Sequence, residues 1–332
     1  MNNKEILNFI TDIPKTETHL HIEGALPYSL LQQIDPEAYS SDPESWAADF
    51  KWSSFETFEA HLLEHALKWY SSAENYHQAA KIIFGNLQEK NVQYIETSFH
   101  GAICEFCNID GKELIAAILD AVPEGMEVKL FMGLLRNDYR ESYAPIIHDS
   151  LSWEQLTGID MHGGEVLPIE DWAINHWEKA KNNGKFLKAH AGEFGGASNV
   201  AEAFHKLGTR RIQHGIRAVE DSEVVQLLLD ENISLDICPI SNVKLDVVPT
   251  MADHPIRELF DAGVRCTIST DDPFSFGNTI EEEYIALAEH LDFTITELGE
   301  LAKNGFKNAL IENDKKQSHI DKIDELVKIY ES

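Results

Sequence analysis

Glu17-Thr18-His19-Leu20-His21-Ile22-Glu23-Gly24 places two histidines two positions apart and ends on a glycine. Alternate residues of a β-strand face the same side. His19 and His21 therefore present two neutral imidazoles to one point, a pairing that suits a borderline-soft divalent ion such as zinc. Gly24 then lets the chain leave the strand. Two histidines out of fifteen are explained as well by a half-buried strand, so the rest of the chain has to decide.

Outward from that stretch, short apolar runs alternate with helical patterns. The runs are Val92–Phe99, Val128–Leu134, Leu156–Met161, Phe186–Ala189, Arg211–His214, Ile233–Cys238 and Val264–Thr270. Helices are predicted over Gly111–Val122, Ile169–Asn183, Ser198–Leu207, Val219–Glu231 and Pro255–Ala262. Three more, Thr279–Leu291, Thr296–Leu310 and Ile320–Tyr330, close the chain. With the first strand this makes eight β–α alternations, the pattern of an α/β fold of the (β/α)8 TIM-type barrel. A doubly wound sheet is the alternative, but no Gly-x-Gly-x-x-Gly follows any strand.

A helical insertion at about 27–90 follows the first strand. Ser54 is placed to cap a helix there, with Phe55, Phe58, Leu62, Leu63, Ala66 and Trp69 on one stripe. Core packing is the expected job of these side chains, and the insertion is positioned to serve as a lid. No repeat and no low-complexity linker divides the chain, so 1–332 reads as a single domain.

Barrel enzymes keep their chemistry at the C-terminal ends of the strands. Those ends carry His19-x-His21, His190-Ala191-Gly192-Glu193, Gln213-His214-Gly215 and Ser269-Thr270-Asp271-Asp272-Pro273. A buried structural histidine explains one such site, not four together. Three histidines and one aspartate around zinc, with a water, make a hydrolytic rather than a closed structural site. The metal lowers the pKa of water from about 15.7 to about 7. A further histidine can orient that water or take its proton, and a carboxylic acid with a raised pKa can protonate the substrate. Glu193, three residues beyond His190 in a glycine-containing turn, is placed for the second task.

Composition narrows the partners. The chain has 332 residues, 43% hydrophobic and 25% charged, enough for a sizeable core. Lys+Arg 27 against Asp+Glu 57 gives a formal net charge of −30. Nucleic acid and anionic membranes would be repelled, so neither is an expected partner. Four cysteines are too few for a disulfide framework. Met1-Asn2-Asn3-Lys4-Glu5 opens no apolar signal core, and no run approaches a membrane span. The expected location is the cytoplasm.

The ordered set of strand-end motifs resembles the adenosine deaminase family. Supporting matches are Gly158-Ile159-Asp160-x-x-Gly163-x-Glu165, Cys238-Pro239-x-Ser241-Asn242-Val243 and Glu282-Glu283-Tyr284, and the likeness runs from about Pro14 to Ala309. The resemblance implies that His19, His21, His190 and Asp271 bind one Zn2+ per chain. It implies that Glu193 protonates the purine nitrogen beside the amino-bearing carbon and that His214 orients and activates the water. Asp272 would hold the imidazole edge of the purine, and Gly163 would offer its backbone to the pyrimidine ring. His214 is then the spare histidine, because a mononuclear site already has its four protein ligands.

Departures from the family pattern bear on the substrate. Relatives acting on adenosine often carry Asp where Glu23 stands, near the sugar, and Glu there is more like relatives that take free adenine. Ser98, His100 and Gly101 replace an Arg and a Ser-Pro pair, and His162 fills a position that is usually small. None of these is expected to touch the metal set. The implied reaction is hydrolytic deamination of a small-molecule 6-aminopurine. An adenosine-type nucleoside is the expected substrate, with adenine, methylthioadenosine and aminodeoxyfutalosine as alternatives. A phosphotriesterase-like hydrolase would want a bridging lysine on strand four, and Gly158-Ile159-Asp160-Met161 has none. A non-catalytic member should have lost ligands or Glu193, and none is lost. Cys104-Glu105-Phe106-Cys107 lacks a second pair and reads as two incidental thiols. His61, His65, His77, His176, His205 and His319 fall on helical stretches and read as exposed or structural.

Overall fold

A computed structural model describes residues 3–332. Met1 and Asn2, which begin the start read above for a signal core, lie outside the described residues. Eight parallel strands follow one another in chain order: β1 (Lys15–His21), β2 (Val92–His100), β3 (Glu127–Leu135), β4 (Gly158–His162), β5 (Phe186–Ala191), β6 (Arg211–His214), β7 (Ser234–Ile237) and β8 (Arg265–Ile268). Helices surround them, as a parallel sheet buried on both faces requires. This is a TIM-type α/β fold. The barrel closes where Leu20 pairs with Asp271: His21 N donates to Asp271 O and Asp271 N to His19 O, both at 3.1 Å. The β1–β2 register shifts between Glu17 and Leu20, beside His19.

One apolar cluster runs from Phe9 to Leu326 and joins the barrel to its helices. The barrel floor is polar. Arg211 bridges Glu96 and Asp236, and Lys188 Nζ lies 2.5 Å from Glu96 Oε2. Buried charges persist only when paired in this way.

Several boundaries differ from the sequence reading. Helix Asn313–Tyr330 starts seven residues before the predicted Ile320, because its first two turns are polar and carry no apolar stripe. A helix at Ala144–Ser150 follows β3 where none was predicted. The predicted helix over Val219–Glu231 is a 3-10 turn at Ile216–Glu220 followed by an α-helix at Ser222–Asp230, capped by the Asp221 side chain. β4 runs one residue further than expected and takes in His162.

Between β1 and β2 the chain forms helices Tyr28–Ile34, Phe55–Trp69 and Ala73–Glu89. Ser54 caps the second by accepting from Thr57 N. Its apolar stripe lies largely outside the main core. Phe58 packs with Leu245 and Phe276 in a separate small cluster that Phe55, Leu62 and Phe194 also join. The helix spans one side of the barrel mouth, so its stripe faces a cavity there instead of the barrel interior.

Candidate active site

Three imidazoles meet at the barrel mouth. The Nε2 atoms of His19, His21 and His190 lie 3.1–3.2 Å from one another. Asp271 Oδ1 is 3.4 Å from His19 Nε2 and 3.2 Å from His21 Nε2. The other ring nitrogens are already engaged. His19 Nδ1 donates to Asp236 O at 3.1 Å, and His190 Nδ1 donates to Met161 O at 2.9 Å. Carbonyls only accept, so these two rings carry their protons on Nδ1 and turn lone pairs inward from Nε2. Ser98 Oγ stands 3.0 Å from His21 Nδ1.

Inward lone pairs with no hydrogen between them form a candidate ligand set for a cation. A tetrahedral zinc with Zn–N of about 2.0–2.1 Å needs donors roughly 3.3 Å apart, close to the spacing found. Ser241 Oγ donates to Asp271 Oδ2 at 2.6 Å, which leaves Oδ1 turned toward the histidines. The residues present therefore fit the ion. The Cys238 thiol, 3.4 Å from His19 Nδ1, is pushed well up by burial and adds no further thiolate.

Backbone strain places two of the side chains. His214, the last residue of β6, and Asp271, three residues beyond the end of β8, stand at φ +64° and +67°, a left-handed conformation uncommon outside glycine and tolerated best by residues such as Asp and His. Such outliers gather at functional sites. Gly192 at φ +74° begins the turn that carries Glu193. Glu165 holds that turn by accepting from Gly192 N, from Glu193 N at 2.9 Å and from Gly195 N at 2.8 Å.

Glu193 is buried, with Oε2 3.4 Å from His214 Nε2 and Oε1 accepting from Asn242 Nδ2 at 2.7 Å. Burial, followed by the charges of Asp271 and Glu165, pushes its pKa well above the usual carboxylate range. Asp272 is raised likewise by burial and by Asp271, and its Oδ1 has no partner among the described residues. Burial lowers His214 to about 3, so the ring is neutral.

The cavity above this cluster holds about 330 Å³, within the roughly 300–1,000 Å³ typical of small-molecule sites. Its floor includes His21, His190, His214, Glu193, Asp271, Asp272 and Gly163. Its outer wall is apolar: Phe55, Phe58, Leu62, Leu63, Ala66 and Leu67 from the inserted helix face Ile103, Phe106 and Leu135. Most of the stripe expected to pack the core lines this cavity, while Ala66 and Trp69 also meet the main core.

All nine residues singled out from the sequence lie at this one place. One expectation needs correction, and Glu23 is more constrained than its spacing from His21 shows. Glu23 lines the cavity without extending freely into it. Its Oε1 accepts from Tyr76 Oη and from His100 N, the latter at 3.1 Å, which ties it to the cavity wall. The departures from the family pattern do touch the ligand set. Ser98 meets His21, and the His162 ring lies edge-on to His21 and His190 with centroids 4.6 and 4.8 Å apart. Gly133 makes room for His162, since a Cβ there would stand 2.2 Å from its ring.

Sequence reasoning gave no role to the residues that hold this set. Asp160 lies 3.4 Å from His190 Nδ1 and 3.3 Å from His162 Nε2. With Glu165, Ser241 and Asn242 it stands inside motifs quoted for the family resemblance, and that was the available signal. Cys104 is buried and Cys107 partly so, and both are free thiols.

A parallel barrel with a histidine–aspartate cluster and a buried acid at its mouth is the arrangement of an amidohydrolase-type enzyme. The model of the adenosine deaminase family matches residues 14–326. The chain is 31% identical to an adenine deaminase of Zymomonas mobilis over 337 residues, covering 98% of this chain and 99% of the relative. A crystal structure of adenine deaminase from Arthrobacter aurescens superposes with a TM-score of 0.84 at 25% identity, covering 95% of this chain and 99% of that one. A Burkholderia ambifaria amidohydrolase solved with bound Zn shares the fold, with a TM-score of 0.82 at 20% identity, covering 98% and 94%. The chain belongs to the adenosine deaminase family. It is a hydrolytic deaminase, and its reaction is purine deamination. Among the described residues no helix is long and apolar enough to cross a membrane.

Proposed function

We propose that the protein hydrolyses the 6-amino group of free adenine to give hypoxanthine and ammonia, using one zinc held by His19, His21, His190 and Asp271. The convergence of three imidazole lone pairs and a carboxylate oxygen beneath a cavity walled by a protonated Glu193 carries this reading. When bound, the zinc supplies hydroxide at neutral pH by lowering the pKa of water to about 7.

The remaining tasks fall to the chain. Glu193, neutral because it is buried, gives a proton to the ring nitrogen beside the amino-bearing carbon and so draws electrons away from that carbon. His214 lies beside both Glu193 and Asp271 and orients the attacking water. Asp272, with an unpartnered oxygen, pairs with the imidazole edge of the base, and the Gly163 backbone faces its pyrimidine edge. The helix Phe55–Trp69 covers the cavity and excludes water, the lid role assigned to the insertion.

Free adenine replaces the nucleoside expected from the sequence. Relatives that share nearly the whole chain are named adenine deaminase. Glu23, fixed at the wall by Tyr76 and His100, supplies an acceptor for the N9–H that only the free base carries. The apolar outer wall offers few partners for ribose hydroxyls. The test is ammonia release from adenine, adenosine, deoxyadenosine, methylthioadenosine and aminodeoxyfutalosine by zinc-loaded protein. Adenine is expected to give the highest kcat/KM. A preference for any nucleoside overturns the substrate, and ammonia from none of them overturns the reaction.

A further inference from the structure

Behind Glu193 a chain of hydrogen bonds runs from the backbone to the acid, and its polarity can be read link by link. Ile256 N–H donates to His254 Nδ1 at 3.1 Å. A backbone N–H only donates, so Nδ1 holds a lone pair and a neutral ring keeps its proton on Nε2. His254 is neutral: burial lowers its pKa to about 3. Nε2 lies 3.1 Å from Asn242 Oδ1 and requires an acceptor there, which fixes the direction of the amide. Nδ2 must then point the other way. It donates to Glu193 Oε1 at 2.7 Å and lies 3.3 Å from His214 Nδ1. His254, Asn242 and Glu193 are 2%, 0% and 5% exposed, so water cannot replace these partners.

We propose that Asn242, oriented by His254, is a positioning residue that keeps the acid proton of Glu193 on Oε2. The inference rests on the deaminase reading of the site. An N–H aimed at Oε1 makes that oxygen an acceptor, so the hydroxyl of the protonated acid stays on the other oxygen. A reversed amide would aim a carbonyl at Glu193. The acid would then spend its O–H on that carbonyl and withhold it from the purine. When the proton leaves Oε2 for the ring nitrogen, the carboxylate that remains keeps the Asn242 N–H, and no group has to turn. The energetic argument is the cost of a buried unpaired donor or acceptor, which restrains the amide from flipping while His254 holds its other end.

The experiment uses zinc-loaded protein with adenine. Asn242→Asp keeps the size of the side chain but replaces the donor with an acceptor. It is expected to lower kcat by roughly 10²-fold or more while KM moves within about threefold and zinc is retained. His254→Leu removes the N–H that orients the amide and should lower kcat by about tenfold, and His254→Gln, which restores an N–H near that place, should recover most of it. The readout independent of turnover is the ring tautomer of His254 in the native protein, from long-range proton–nitrogen correlation NMR. The Nε2–H form is expected. An Nδ1–H form, native kcat in Asn242→Asp, or a His254→Gln no better than His254→Leu overturns the proposal. Native protein that releases no ammonia from any 6-aminopurine overturns the parent reading instead, and the tautomer still decides the direction of the chain.

Discussion

Gly24 and Asp272 share one corner of the site so closely that a Cβ on Gly24 would stand 1.5 Å from Asp272 Oδ1. The loop leaving β1 and the loop leaving β8 are locked there, with Phe274 N donating to Gly24 O at 2.8 Å. Glycine is needed at this point for close approach, not for an unusual φ. Gly24→Ala should push the Asp272 carboxylate out of place and lower kcat/KM by about 10²-fold, the scale of a misplacement near 1 Å. Zinc should stay, because Ser241 fixes Asp271 independently. Steady-state kinetics with metal analysis checks this, and near-native kcat/KM would remove Asp272 from substrate binding.

The ligand set makes a prediction about stoichiometry. Purified protein should hold about one zinc per chain, and His19→Ala or Asp271→Ala should lose metal and turnover together. Each of these changes leaves two or three inward lone pairs without the partner that completes the set. Two tightly held metals per chain would contradict the mononuclear assignment.

Glu193 as the proposed acid would set the alkaline limit of turnover. Burial, then Asp271 and Glu165, raise its pKa well above the usual carboxylate range, so the protonated acid persists to higher pH than a free carboxyl does. Turnover that needs this proton is present below the raised pKa and is lost as pH rises through it. Glu193→Gln should keep zinc and bind adenine while kcat falls by roughly 10²–10⁴-fold. What activity remains should lack that alkaline fall. Near-native turnover in this variant would mean that the acid lies elsewhere.

Glu17 yields a prediction about stability. It is fully buried on β1, and its carboxylate accepts from Thr270 Oγ1 at 2.8 Å and from Thr270 N at 3.1 Å. Burial outweighs these bonds and raises its pKa from 4.5 to about 8. A folded pKa above the unfolded one contributes stability that is whole below about 4.5 and is lost as pH rises through about 8. Glu17→Gln should flatten the native decline across that window by a few kcal/mol, at about 1.4 kcal/mol per unit. Denaturant unfolding at pH 5 and pH 8.5 measures the slope. An unchanged slope would place the buried proton on another group.

Why the barrel and the candidate metal ligands could be read from sequence, and their supports could not, follows from range. His19-x-His21 is legible because a strand repeats every two residues, and eight β–α alternations leave few other folds. Asp271 and Glu193 are legible because strand ends are where a barrel keeps its reactive groups. The Ser98–His21 contact spans 77 positions and depends on the β1–β2 register, which a bulge beside His19 shifts. No local pattern carries that. The same holds for Glu23, whose spacing from His21 gives its place but not its tether to Tyr76, 53 positions away. The polar first turns of Asn313–Tyr330 hid the start of that helix because an apolar stripe begins only where the helix meets the core.

On the proposed reading, substrate choice turns on that tether. Glu23 Oε1 is bound by Tyr76 Oη and His100 N, and Tyr76 is itself packed against Tyr70 with ring centroids 4.4 Å apart. Tyr70 Oη donates to Ile22 O at 2.7 Å, so the whole group moves as one with the loop leaving β1. A carboxylate anchored this firmly can discriminate, because a ligand that fails to use it leaves a buried acceptor unmet. Such a loss costs about 1–3 kcal/mol, or at least roughly tenfold in kcat/KM. Glu23→Asp withdraws the acceptor by one methylene, which should weaken adenine and give a ribose room. The ratio of kcat/KM for adenine over adenosine should fall about tenfold or more in this variant. Tyr76→Phe keeps the length of Glu23 but frees Oε1, and the ratio should fall by a smaller factor, about threefold. Ratios within about twofold of native in both variants would take Glu23 out of the specificity argument and move it to His162 and His100, the other two histidines on the cavity wall.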